Sequence, residues 1–306
     1  MAPGIGAAGI MGVAIETVPG TYVAPTKFIP FMSESLKFEQ DTQWRRPIRQ
    51  TPDIVGAVAG DSNIAGDITM EALHDCVPYF LYASRVSIVK TGAGPYVYTC
   101  TPTAVAIPAK TLSITIVRNG IVYAYTGCVV ASFSFSVDNG ELMFKPHIVG
   151  QDEAVQSSPT ATWPTSVPFG AGSYNLQIPT ASQIFDTDKF ELKVDDKGKP
   201  EFRLKNTGTG AQFISYGERE VGLSVERDFD SRAEYDLFKA ETAQSITMTV
   251  GSTPGFVMTM AASIIDTYEV NLGGQGDLVR AKVEYKGTLG AGNAYGLVVN
   301  TTENIV

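Results

Sequence analysis

The clearest pattern in the chain is alternation. Val129, Ala131, Phe133, Phe135 and Val137 share one parity, Ser132, Ser134 and Ser136 share the other, and the chain turns at Asp138-Asn139-Gly140 to return through Leu142 and Phe144. Ile264, Tyr268, Val270 and Leu272 repeat the theme, with a turn expected at Gly273-Gly274-Gln275-Gly276 and a return from Leu278 to Tyr285. A period of two with Gly-rich turns between the runs predicts β-hairpins. Helical spacing occurs in two places. Leu73, Cys76, Val77, Phe80 and Leu81 form one buried stripe that Pro78 either kinks or delays. Ser231-Arg232-Ala233-Glu234 has the form of a capping box, followed by Leu237 and Ala240 on the same side as Phe229 and Ala233.

These patterns come in two sets. Leu36 to Asp41 aligns with Leu192 to Lys197, and Asp67 to Glu71 aligns with Gly222 to Glu226, in the same order and at nearly the same spacing. Between the sets, residues 156–168 are dominated by Pro, Ser and Thr without any period, which marks a linker. The expected fold is mainly β (α+β): a unit over 1–155, the linker 156–168, and a second copy over 169–306, each with one flanking helix, the alternative being two unrelated β-rich domains whose short matches reflect the small alphabet of strands. The stretch 42–62 holds Trp44, Arg45, Arg46 and Arg49 with two Pro and several Gly. It is too long for an ordinary hairpin connection and reads as a loop either disordered alone or ordered by a partner, with a Trp flanked by Arg pointing to a protein contact.

Composition narrows the function. Thirty-two acidic against 23 basic residues leave a net charge of −9, so a groove that grips nucleic acid through a general positive field is excluded. The three cysteines (Cys76, Cys100, Cys128) have no C-x-x-C spacing and read as small core residues of a reducing compartment. Neither a charged leader nor an apolar run long enough to cross a membrane is expected. His74 and His147 lack a sequence-local nucleophile or carboxylate arrangement, and no phosphate-loop, zincin, nucleophile-elbow or EF-hand pattern occurs. The run Gly287 to Gly292 leads into Tyr295-Gly296-Leu297-Val298-Val299, a strand pattern, and so lacks the helix a dinucleotide loop needs. Asp195-Asp196 before Lys197-Gly198-Lys199 suits an exposed turn better than a cation site. No catalytic residue, cofactor or metal is assigned.

The N-terminal stretch carries a resemblance. Gly12-Val13-Ala14-Ile15-Glu16-Thr17, then Gly20-Thr21-Tyr22-Val23-Ala24-Pro25-Thr26-Lys27-Phe28, then Ser33-Glu34-Ser35-Leu36 is similar to the opening of the major tail tube proteins of long-tailed bacteriophages. The resemblance implies tandem β-sandwich or partial-barrel units and a structural virion protein that stacks as rings into a hollow tube conducting double-stranded DNA. It implies self-association, with tape-measure, tail terminator and tail tip proteins as further partners, no membrane, and synthesis in the host bacterial cytoplasm before assembly into the tail. Single-unit tube proteins form sixfold rings, so a duplicated chain implies a trimer with pseudo-sixfold symmetry and an inner barrel of about 24 strands. DNA would pass without specific binding through an acidic lumen, for which Glu34, Glu39, Asp41, Asp138, Glu141, Asp195, Asp196, Glu201 and Asp277 are candidates because they flank expected hairpin strands. The Trp44 loop would touch the next ring. Another β-sandwich virion component, or an adhesin-like binding protein, is the alternative.

Overall fold

Side chains of alternating polarity, broken by closely spaced turn residues, fold this chain almost wholly into antiparallel strands. The computed structural model describes residues 6–50, 52–107, 110–138, 140–179, 182–184, 187–203, 209–229, 231–272, 277–289 and 293–305. The turn residues Asn139 and Gly273 to Gly276, and the end of the Gly-rich run at 290–292, lie outside them. The first half contains β1 (Ile10–Ile15), β2 (Lys27–Phe28), β3 (Ser33–Glu34), β4 (Lys37–Arg45), β5 (Gly56–Glu71), helix α1 (Val77–Tyr82), β6 (Val86–Thr91), β7 (Tyr96–Pro102), β8 (Leu112–Arg118), β9 (Ile121–Asp138), β10 (Glu141–Gly150) and β11 (Asp152–Ala154). The second contains β12 (Tyr174–Gln177), β13 (Gln183–Ile184), β14 (Thr187–Asp195), β15 (Lys199–Glu201), β16 (Phe213–Ser215), β17 (Glu220–Asp228), helix α2 (Ala233–Lys239), β18 (Gln244–Gly251), β19 (Gly255–Asn271), β20 (Arg280–Gly287) and β21 (Gly296–Thr301).

In the first half, one layer runs β2-β1-β8-β9-β11 and the other runs β4-β5-β10-β9. Strand β9 belongs to both, pairing with β8 up to Cys128 and with β10 from Val129 onward. It turns the corner at Gly127, whose φ of +61° and 2.6 Å approach of a would-be Cβ to the Gln151 side chain leave room only for glycine. The second half has the same order: β13-β12-β18-β19 in one layer and β14-β17-β20-β19 in the other.

Two ladders join the halves. Strand β14 pairs with β9, from Glu191 opposite Ser136 to Asp195 opposite Ser132, making one continuous sheet β4-β5-β10-β9-β14-β17-β20-β19 of eight strands. Strand β21 pairs with β7 in the opposite layer. The interior is likewise shared. Phe135 packs on Phe144 at 4.8 Å and on Phe256 at 6.0 Å, while Phe133 meets Tyr295 at 6.2 Å. Such ring pairs contribute about 0.5–1.5 kcal/mol each beyond the area they bury. Residues 156–168 form no strand or helix. They lie along the first half, with Trp163 edge-on to Phe28 and the Ser166 hydroxyl donating to Asp75.

Several expectations change in detail. The first stripe is buried, but its helix starts only at Val77 with Pro78 in its opening turn, where a missing N–H costs nothing. The capping box at Ser231 does not form: Arg232 takes the N-cap position, no side chain caps it, and Glu234 pairs instead with Arg227 at 3.3 Å. The stretch 42–62 is mostly ladder, because β4 and β5 continue through Trp44 opposite Ala57, leaving only 46–55 as the connection. Its Gly and Ala content hides the strand pattern, since nothing beneath that part of the hairpin requires large side chains. The hairpin β6–β7 was not anticipated; its neighbour β21 lies some two hundred positions away in sequence and leaves no local trace.

Candidate assembly surfaces

Strand alternation sends one face of the eight-stranded sheet into the core and leaves the other polar except at one end, where Val129, Ala131 and Val149 pack against Ala211, Ile214 and Tyr216 beside the β15–β16 ribbon. Across that polar face the register places like residues in rows. One row runs Asp67, His147, Ser132, Asp195, Glu220; the next runs Lys145, Ser134, Lys193, Gly222, Lys286; a third runs Glu71, Met143, Ser136, Glu191, Ser224, Glu284. A basic row therefore lies between two acidic ones. Further along, Lys189 meets Glu226 at 2.9 Å and Lys282 meets Glu284 at 2.6 Å. Hydrogen bonds from these lysines hold the Glu226 and Glu284 carboxyls below the ordinary carboxylate range. Most of these residues lie outside the expected acidic set, although counting every second residue along β5, β14, β17 and β20 finds them.

The nine acidic candidates separate. Asp195 lies in the first row, and Glu39, paired with Lys37 at 2.9 Å, and Asp41 lie on the exposed edge strand β4. Glu141 is exposed at the start of β10 beside Asp138, the last residue of β9. Asp277 is exposed ahead of β20. Glu201 lies on the separate β15–β16 ribbon, where a hydrogen bond from Ser215 depresses its pKa. Glu34 and Asp196 are drawn inward. The guanidinium of Arg118 grips Glu34 through Nε at 2.8 Å and Nη2 at 2.6 Å. Asp196 is buried, accepting from Arg219 Nε at 2.6 Å; burial lifts its pKa above the ordinary value, with Arg219 and Arg85 pulling the other way.

The far part of the β4–β5 hairpin projects as an arm exposed on both faces. Trp44, Ile48, Ile54, Val55 and Val58 are exposed there, with Trp44 58 % exposed and Ile48 fully so. Arg45, Arg46 and Arg49, their neighbours in sequence, are exposed as well. A two-stranded ribbon without an underlying layer is marginal alone, which makes this exposed apolar stretch a candidate contact surface.

Two buried polar clusters explain the N-terminal motif. Glu16 accepts from the backbone N–H of Gly20 and Gly127 and from the hydroxyls of Thr111 and Ser113, anchoring the turn at 17–20 to β8 and β9. Lys27 bridges Asp75, at 2.9 Å, to Glu303 near the C-terminus. Burial by itself would raise the Asp75 carboxyl, yet hydrogen bonds from Ser166 and Lys27 bring it below the usual value. His74 Nδ1 lies 3.0 Å from the Thr301 hydroxyl, and burial lowers its pKa. Burial also raises Cys76, Cys100 and Cys128, with Cys100 pushed up to about 12. Among the described residues, no His/Cys/Asp/Glu group is arranged to hold a metal ion, and no helix is long and apolar enough to cross a membrane.

Two layers of antiparallel strands, a sheet with a strand edge at each end, and an apolar arm are the build of a structural assembly subunit. Residues 6–287 match the family described as phage tail tube protein, and the chain belongs to that family. It is a structural component of the virion tail that self-assembles, with other tail proteins, into a tube. Comparison with curated proteins finds no match.

Proposed function

We propose that three copies of this chain close into a ring, that rings stack into the tail tube, and that the polar face of the eight-stranded sheet lines a channel through which double-stranded DNA passes. The observation that carries this reading is the repeated order β4-β5-β10-β9 and β14-β17-β20-β19, with β9 already joined to β14. On this reading 1–155 and 169–306 are duplicated units. The role is structural, without a catalytic site.

Three such chains give a closed barrel of about 24 strands. At ~4.8 Å per strand and a tilt of roughly 40°, its backbone diameter is about 45–50 Å, leaving on the order of 35–40 Å inside the side chains for a duplex roughly 20 Å wide. The channel would carry excess negative charge in rows, with lysines interspersed and already paired in part, so phosphates meet no unbroken cationic track. The apolar arm would seat Trp44 and Ile48 on the adjoining ring.

Native mass spectrometry of assembled rings, with an averaged cross-section of the tube, tests the stoichiometry. Three chains per ring with six similar lobes is the expected result; six whole chains per ring would overturn it.

A further inference from the structure

The eight-stranded sheet carries its own template for how a strand is added at its edge. Superimposing Asp67–Glu71 on Gly222–Glu226 brings the hairpin ends into coincidence, Asp138/Glu141 with Asn271/Arg280. It also places Ser33 to Lys37 on Glu191 to Asp195, so Leu36 coincides with Val194; the sequence pairing of Leu36 with Leu192 is displaced by two residues, a slip that keeps the in/out alternation and so leaves no trace in the pattern. The segment Glu191–Asp195 is where β9 adds to the second half. Its counterpart, Ser33 to Lys37, has no strand on its outer side among the described residues.

Alternation decides which backbone groups would receive a new strand. Ser35 N–H donates to Asp67 O, so Ser35 faces β5 and Leu36 faces outward. At the matching place Val194 pairs with Phe133, and Asp196 N–H donates to Ala131 O. Leu36, however, is already occupied. Its N–H donates to Glu34 Oε2 at 3.0 Å, and its carbonyl accepts from Arg118 Nη2 at 2.5 Å and from the Tyr125 hydroxyl at 3.3 Å. The position of Glu34 is held by the buried apolar Leu192 in the second half. An inward-pointing charge on an edge strand is a recognised device against unwanted strand pairing.

We propose that the Glu34–Arg118 pair is a removable edge plug that keeps the free subunit from polymerising, and that ring closure replaces it with β19 of a second copy. This rests on the ring reading above. The internal template sets the register: Thr267 of one copy opposite Ser35 of the next, and Glu269 opposite Ser33. The exchange is between hydrogen bonds of similar number, so the plug raises the threshold for assembly without forbidding it.

The double variant Glu34→Leu/Arg118→Met removes both charges together and leaves no unpaired one behind. It should retain a cooperative thermal transition and form rings or tubes at a protein concentration at least tenfold below that needed by the unsubstituted chain, read by light scattering and negative-stain microscopy. Arg118→Lys, which keeps the charge but loses the fork, should fall between. In an otherwise unsubstituted chain, Ser35→Cys/Thr267→Cys should give oxidised covalent ladders ending at the closed ring, whereas Ser35→Cys/Asn271→Cys should not. Tubes that form at an unchanged or higher threshold in both Arg118 variants would overturn the plug while leaving the ring reading intact. Tubes without the Ser35–Thr267 cross-link would overturn the register, and failure of every variant and of the unsubstituted chain to form rings would overturn the ring reading itself.

Discussion

Lys27 shows how much one residue of the N-terminal motif does. It is buried between Asp75, next to α1, and Glu303, so it ties β2 to the turn before α1 and to the segment after β21. Lys27→Met would strand the buried Asp75 carboxylate, whereas Glu303 keeps access to solvent, for a loss of about 3 kcal/mol by urea unfolding of the subunit. The double variant Lys27→Met/Asp75→Leu should recover most of it. The sign of the pH dependence follows from opposite shifts. Asp75 is depressed, so its contribution is complete above its ordinary 3.8 and disappears as acid protonates it below that; Lys27 is raised by its carboxylate partners, so its contribution is complete below 10.5 and disappears in stronger base. Subunit stability should therefore fall faster below pH 3.8 in the unsubstituted chain than in the double variant, and equal slopes would count against the clasp. At Gly127, alanine would meet both a positive φ and the Gln151 side chain, costing on the order of 1–2 kcal/mol in the same assay.

At the scale of elements, what was legible in the sequence is what depends on near neighbours. The alternation of Val129 to Val137 gave β9 and its return β10, and the stripe from Leu73 to Leu81 gave the buried turn and helix α1. Asn119-Gly120, with φ of 51° and 79°, closes β8 onto β9 as a two-residue turn and is legible by the same logic. The rest depended on distant partners. Nothing near Tyr96 announces β21, and nothing near Glu34 announces Arg118. The stretch around Trp44 was legible as distinct from its surroundings but not as a ladder, because β5 there consists largely of Gly and Ala. Its apolar tip supports no core, so Trp44→Ala/Ile48→Ser should change subunit stability by no more than about 0.5 kcal/mol. The same variant should still close rings but raise the concentration needed for long tubes several-fold in sedimentation assays. A substantially destabilised subunit would mean that the arm folds back on its own body.

At the scale of the whole molecule, the net charge of −9 describes the polar sheet face less well than its arrangement does. The acidic row through Glu71, Glu191 and Glu284 is separated from the one through Asp67, Asp195 and Glu220 by the lysines of the middle row. If this face lines the channel, each row recurs three times around every ring, and moving phosphates meet alternating weak repulsion and attraction over distances shorter than the duplex is wide. Screening acts over about 8 Å at physiological salt, so these contributions largely cancel along the axis. Converting the third row to Glu71→Lys/Glu191→Lys/Glu284→Lys would merge it with the middle row into one cationic band per ring, repeated along the tail. Phosphates would then release counterions at every ring, and the resulting drag should rise with tail length and fall steeply as salt is added. The expected outcome is intact tails whose DNA release in vitro, followed with a DNA-binding dye after receptor triggering, is several-fold slower at low salt and returns toward the unsubstituted rate near 1 M, where the screening length is about 3 Å. Unchanged release from tails that carry all three substitutions would place this face away from the DNA.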